Sequence, residues 1–213
     1  MTFITFEGGE GTGKTTVVRQ VVEIMNQYKS DGLAVTREVV AVNDPGGCPS
    51  ASKIRKILLT GEQDEFLGAT ELLLFTAARY ELVNRVIRPH LEADRIVISD
   101  RFTDSTRVYQ TRGNKISPVL VEETISAFTD GLRPTFSILL DAPVEVTLPR
   151  AKARSGPETR FEDMDISVHQ EIRNKFLRLF GAKNKATYAI VDVTQPLEKV
   201  VEQCVSIIVS RAI

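Results

Sequence analysis

The stretch that most narrows what this chain can fold into is Gly8-Gly9-Glu10-Gly11-Thr12-Gly13-Lys14-Thr15. It fits Gly-x4-Gly-Lys-Ser/Thr. It directly follows a short apolar run, Phe3–Phe6, and opens a helical segment, Thr15–Lys29, with Val18, Val21, Val22 and Met25 on one face. Strand, glycine-rich turn and helix in that order let successive backbone N–H groups converge on one point. The helix start adds a field that favours an anion there. Such a loop cradles the phosphates of a nucleoside triphosphate. Lys14 is placed to bridge the outer phosphates, and the Thr15 hydroxyl to hold Mg²⁺. The candidate ATP-binding set is therefore Gly8, Gly9, Glu10, Gly11, Thr12, Gly13, Lys14, Thr15 and Thr16.

The rest of the chain repeats the alternation. Strands are expected at Leu33–Thr36, Arg95–Ser99, Thr135–Leu140 and Thr187–Val191. Helices are expected at Ser52–Leu59, Gly68–Ile87 (ended by Pro89), Pro118–Phe128, Val144–Arg154, Val168–Phe180 and Leu197–Ile208. Short, wholly apolar strands are buried on both faces, and strands alternating with helices make a parallel sheet with right-handed crossovers. The expected fold is α/β: a P-loop NTPase fold with a five-stranded parallel β-sheet flanked by helices. Its site lies at the carboxyl ends of the strands. The 213 residues suit one sizeable domain.

Composition removes several other classes. A net charge of -1 argues against a broad nucleic-acid face. Cys48 and Cys204 give neither a disulfide framework nor a metal spacing, and His90 and His169 add no zinc cluster. No apolar run approaches a membrane span, and the first residues lack a secretory signal pattern, so a cytoplasmic protein is expected. A guanine-specific GTPase should carry Asn-Lys-x-Asp. Asn114-Lys115-Ile116-Ser117 and Asn184-Lys185-Ala186-Thr187 both lack the aspartate.

Three further features point to phosphoryl transfer. The apolar run Ile96-Val97-Ile98 ends in Ser99-Asp100-Arg101, an acid suited to Mg²⁺ beside a base suited to phosphate. Arg150, Lys152, Arg154 and Arg160 surround Ser155-Gly156-Pro157, a basic helix end running into a loop at about 150–162. A lid of this kind excludes water and neutralises the transferred group. Phe75 and Arg79 share a helix face, one suited to stack on a planar base and the other to donate to its carbonyl. Periodicity alone favours the plainer reading, core packing for Phe75 and a surface role for Arg79. A catalytically weak nucleotide-binding regulator and a kinase for a non-nucleotide acceptor are the competing readings. The full basic lid argues against the first, and the base-stacking pair against the second.

The order of these segments resembles the thymidylate kinase family over nearly the whole chain. The resemblance rests on Phe6-Glu7-Gly8 through Thr16, Thr36-Arg37-Glu38, Pro45-Gly46-Gly47, Ile54–Leu59, Leu74–Arg79, Asp100-Arg101-Phe102, Ser105-Thr106, Tyr109-Gln110 and Arg160-Phe161-Glu162. It implies phosphoryl transfer from Mg·ATP to dTMP by a homodimer. It implies that Glu10 contacts the sugar 3′-hydroxyl, that Arg55 and Arg101 hold the acceptor phosphate, and that Phe75 stacks on thymine. Arg79 would reach a base carbonyl. Ser105, Thr106, Tyr109, Gln110 and Phe161 would line the acceptor pocket. With no arginine inside the P-loop, the resemblance is to the bacterial type, whose lid supplies the catalytic arginine: here Arg150, Arg154 or Arg160, beside Lys14 and Arg101. Thr15 and Asp100 are the metal candidates.

The sequence departs from the family pattern in places. The run Thr-Arg-Glu-Pro-Gly-Gly is split by Val39–Asp44, read as an insertion near the acceptor. Thr159 precedes the lid arginine where an aspartate is usual, and Phe102 and Val108 also differ. These changes fall on the acceptor side, so dUMP or another pyrimidine monophosphate is the alternative acceptor. One methyl group in an apolar pocket is worth only ~1–3 kcal/mol.

Overall fold

Five parallel strands run in the order β2-β3-β1-β4-β5, with β1 (Thr2–Glu7) at the centre. The computed structural model describes residues 1–62, 65–114, 116–153 and 159–213. β1 pairs with β3 (Ile96–Asp100), Thr2 opposite Ile96, and with β4 (Phe136–Asp141), Ile4 opposite Phe136. The edges are β2 (Val39–Asn43) and β5 (Tyr188–Asp192).

The period-2 alternation of β1 sends its side chains to two different cores. Ile4 and Phe6 pack with Val17, Val18, Val21 and Met25 of α1 (Lys14–Ser30) and with Val200, Val201, Cys204 and Ile208 of α9 (Leu197–Arg211). Phe3, with Val97 of β3, packs on the other face against Leu82, Val83, Ile87 and Phe102. Glu7 falls on that same face, buried at the carboxyl end of the strand, and so points into the site rather than into a helix layer.

The second strand is not Leu33–Thr36 but Val39–Asn43. The segment read as an insertion is thus the strand itself, rich in β-branched residues that suit a pleated edge. Asn26 of α1 fixes it: Nδ2 donates to the Val39 carbonyl (2.8 Å), and Oδ1 accepts from the Val39 N–H (2.9 Å). Arg37 consequently lies at the amino end of the sheet, donating to Thr2 Oγ1 (2.8 Å) and pairing with Asp94 (3.3 Å). Its Thr-Arg-Glu run does not reach the acceptor loop. The acid that precedes Pro45-Gly46-Gly47 is Asp44, one residue beyond β2.

Pro89 does not end its helix. α3 (Gly68–Leu82) runs through a π turn, Val83–Ile87, into α4 (Arg88–Glu92) with helical backbone angles at both joins. The wider turn shifts the hydrogen-bond register just before the proline, whose missing N–H would otherwise break the ladder. The remaining helices are α2 (Pro49–Leu59), α5 (Thr103–Tyr109), α6 (Pro118–Thr129), α7 (Val144–Lys152) and α8 (Ile166–Gly181). α5 was not foreseen. Among the described residues, no helix is long and apolar enough to cross a membrane.

Candidate active site

A cleft of about 1370 Å³ crosses the carboxyl ends of the strands. That exceeds the roughly 300–1,000 Å³ of a single small-ligand pocket and leaves room for two. The P-loop, residues 8–15, lies between its two ends. Two of its glycines are sterically required. A Cβ on Gly11 (φ 72°) would lie 1.8 Å from the Thr147 carbonyl oxygen, and one on Gly8 (φ 146°) 2.4 Å from that of Leu140. Gly8 therefore lets the loop pack on β4 and does not itself line the cleft; nor does Gly9. Residues Glu10 to Thr16 do. Lys14 lies over the loop, its Nζ donating to the Gly9 carbonyl (2.7 Å) and to Thr12 Oγ1 (3.1 Å). Burial and the neighbouring Arg101 charge lower its pKa to about 8.

The tip of β3 meets this loop. The Thr15 hydroxyl donates to Asp100 Oδ2 at 2.6 Å, so the two metal candidates are adjacent. Arg101 has a left-handed backbone (φ 70°). Glu7 holds that turn: its Oε1 accepts from the Phe102 N–H (2.9 Å) and its Oε2 from the Ser105 hydroxyl (2.5 Å). Arg101 then reaches across the cleft floor, donating to the Gly8 carbonyl (2.8 Å), Ser105 Oγ (3.1 Å) and Glu10 Oε1 (2.7 Å). The Tyr109 hydroxyl donates to the same Glu10 oxygen (2.9 Å). Burial raises the tyrosine's pKa and keeps that proton in place. Burial, then the Asp104 charge, raises Glu7 to about 7.

At one end of the cleft stand Arg55, Phe75, Arg79, Thr106, Gln110 and Phe161. Arg79 is buried and anchored. Its Nε donates to Asp44 Oδ2 (2.5 Å) and its Nη2 to the Phe102 carbonyl (3.3 Å), leaving Nη1 for a ligand. Asp44 Oδ1 and Thr106 Oγ1 are buried without a hydrogen-bond partner. Burial outweighs Arg79 and raises the Asp44 pKa. Arg55 donates to the Pro45 carbonyl at 2.8 Å. The Phe161 ring stands edge-on to Phe75 (6.1 Å between centroids) and to Tyr109 (5.7 Å). At the other end, Arg150 donates to the Val193 carbonyl (2.9 Å), and Val193 to Leu197 line the wall beside Val18 and Arg19.

The basic segment divides. Arg150 lines the cleft, and Arg154 lies outside the described residues. Arg160 does not line the cleft. It is 1% exposed, and its guanidinium donates to the Leu58 and Glu62 carbonyls (both 2.9 Å) and to Glu71 Oε2 (2.7 Å). This corrects the expectation that it faces the transferred phosphate. Burying a charged guanidinium so far from water is tolerated only against a carboxylate, and Glu71 supplies it.

Sequence reasoning missed Glu7, Asp44, Glu71, Arg112 and the Val193–Leu197 wall. Two left a signal: Glu7 is the acid that ends an apolar strand, and Asp44 directly precedes Pro-Gly-Gly. The others are joined to the site only through space.

Comparison with known proteins agrees with this geometry. The family model for thymidylate kinase matches residues 6–204. A thymidylate kinase of Magnetococcus marinus is 38% identical over 198 residues, 93% of this chain and 90% of its own length. One from Ruegeria pomeroyi is 38% identical over 209 residues, 98% of this chain and 95% of its own. One from Citrifermentans bemidjiense is 42% identical over 185 residues, 84% and 79% of the two chains. With the P-loop, the Asp-Arg turn and the recess at Phe75 and Arg79 all inside the matched region, this chain belongs to the thymidylate kinase family.

Proposed function

We propose that the chain transfers the γ-phosphoryl group of ATP to dTMP, giving ADP and dTDP. The observation that carries this reading is that Phe75, Arg79, Thr106 and Gln110 line the same cleft as the P-loop, with three polar groups left to meet a ligand beside Phe75. Arg79 Nη1 is a donor, and the unpartnered Thr106 hydroxyl can donate. Gln110 gives its Nε2 to Glu71 (3.0 Å), which leaves its carbonyl oxygen as an acceptor. Donor, acceptor and donor complement the O4, N3–H and O2 edge of thymine or uracil. Cytosine presents the opposite polarity at N4 and N3, and a buried mismatch of that kind is costly.

Arg55 and Arg101 flank the path from this recess to Lys14 and are suited to the acceptor phosphate, with Glu10 beside the sugar. The donor base fits the other end of the cleft, between Arg150 and residues Thr194 to Pro196. Thr15 and Asp100 offer hard oxygen donors 2.6 Å apart, a set suited to Mg²⁺. When bound, Mg²⁺ would neutralise charge on the β- and γ-phosphates. Lys14 and Arg101 supply the protein's own positive charge along the line of transfer, and Arg154 remains the lid candidate. The exposed stripe Leu73, Ala77 and Tyr80 on α3, continued by Leu120 and Phe128 on α6, suits a two-fold helix-face dimer. Tyr80→Glu should convert a dimer to a monomer in sedimentation; a monomeric wild type would overturn this.

The test of the activity is ADP release from Mg·ATP against dTMP, dUMP, dCMP, dGMP and dAMP. A preference for dTMP, with dUMP second and dCMP far behind, is expected. Equal turnover of dCMP would overturn the pocket assignment, and no turnover with any acceptor would overturn the kinase reading.

A further inference from the structure

An amide side chain has nearly the same shape whichever way round it sits, so its neighbours decide which atom faces which side. For Gln110 the deciding neighbour lies outside the cleft. Glu71, in the first turn of α3, is buried and does not line the cleft. Its carboxylate collects three donors from two distant parts of the chain. Gln110 Nε2 (3.0 Å) and Arg112 Nη1 (3.2 Å) reach Oε1, and Arg160 Nη2 (2.7 Å) reaches Oε2. Both arginines are themselves held in place. Arg112 donates to the Tyr109 carbonyl (2.8 Å), and Arg160 to the Leu58 and Glu62 carbonyls. A carboxylate receiving two guanidinium groups offers only acceptor lone pairs. It therefore takes the NH₂ of Gln110 and turns the carbonyl oxygen toward the base recess. Among the described residues, that oxygen has no other partner.

We propose that Glu71 is the positioning residue for base selectivity: it locks the Gln110 amide with its oxygen toward the acceptor base. The recess then accepts a ring N–H and refuses a ring nitrogen lone pair, without Glu71 touching the substrate. This rests on the acceptor reading above. The same carboxylate holds Arg160, whose neighbour Phe161 closes the recess, so one buried acid orders both the polar edge and the aromatic wall.

Glu71→Gln tests it. The introduced amide carries its own NH₂, which can donate to the Gln110 carbonyl and let that side chain turn over. The ratio of kcat/KM for dTMP to that for dCMP should then fall ~10-fold or more, with KM for ATP changed less than about two-fold. A ratio that stays put, whether both rates hold or both fall together, overturns the proposal, because a merely structural loss lowers both acceptors alike. Should Glu71→Gln fail to fold, Gln110→Met decides instead. A fixed amide predicts a loss on dTMP and none on dCMP; equal losses on both overturn it. The wild-type ratio separates the two failures. A strong dTMP preference that survives Glu71→Gln sinks only the role of Glu71, whereas no preference in the wild type sinks the acceptor reading itself.

Discussion

Two regions of the cleft are built on different principles. The phosphate side of the acceptor recess comes from consecutive residues, Glu10 to Thr16, which line the cleft together, with Lys14 lying over the loop. The acceptor end comes from side chains far apart in sequence. Asp44 meets Arg79 across 35 residues, Glu71 meets Gln110 across 39, and Glu71 meets Arg160 across 89. A backbone cradle needs glycines at fixed spacing and tolerates most neighbours. A side-chain pocket in low dielectric needs every polar atom answered, so its energy sits in pairs that no local pattern reveals. The comparison predicts that damage at the phosphate end falls on rate, and damage at the acceptor end on stability and selectivity together.

The largest effect should come from Lys14→Ala. Turnover should fall by about 10³-fold, the scale of removing a group aimed at transition-state charge. Binding of dTMP, measured by calorimetry, should hold, and so should the melting temperature. In the wild type, kcat/KM for ATP should decline as pH rises through about 8, where burial places the Lys14 ammonium. A loss of dTMP affinity equal to the loss of turnover would break the separation between the two ends.

Arg79→Ala is the matching test at the other end. Its partner Asp44 is 0% exposed on the side chain and Arg79 4%, so truncation strands a buried carboxylate. A loss of ~3–5 kcal/mol of stability is expected. The KM for dTMP should rise ~10–100-fold, with that for ATP little changed. Adding Asp44→Asn should recover much of the stability by removing the stranded charge, yet leave dTMP binding weak. Denaturant melts and acceptor titrations on the single and double variants check this. Recovery of both properties together would show that Arg79 acts on dTMP only through the fold.

The same contrast explains what the sequence made legible. β1, β3, β4 and β5 stand out because each is an apolar run, and the P-loop because its spacing is nearly unique. β2 was misplaced although Val39–Val42 is itself an apolar run that buries Val39 in one core and Val42 in the other: the family pattern made the run read as an insertion rather than a strand. α5 was missed for a different reason. Its buried residues include Ser105 and Thr106, which line the cleft, and Thr103 and Asp104, which pair with Arg107 and Lys183, so the helix carries no apolar stripe to read. Arg160 misled because a basic residue beside a loop looks solvated until its partner, 89 residues away, is known. Phe75 and Arg79 were picked out by their helical spacing, but what fixes Arg79 is Asp44, which spacing cannot supply.

Glu7 makes the comparison less clean, and its substitution carries the smallest effect. It belongs to the phosphate end, yet it acts as an acceptor-end residue does. Its oxygens hold the Phe102 N–H and the Ser105 hydroxyl, 95 and 98 residues away, and so impose the left-handed turn at Arg101. Burial raises its pKa from an ordinary 4.5 to about 7. The folded protein therefore binds this proton more tightly than the unfolded chain does. The resulting stability is fully present below pH 4.5 and is lost as pH rises through about 7. In Glu7→Gln that slope should flatten, because the amide has no proton to lose. Turnover should fall less than ~10-fold, since Arg101 keeps its contacts with Gly8 and Glu10. Chemical melts from pH 4 to 8 on both proteins decide it. Parallel stability curves would mean that Glu7 stays ionised in its buried niche, and that the phosphate end depends on its backbone alone.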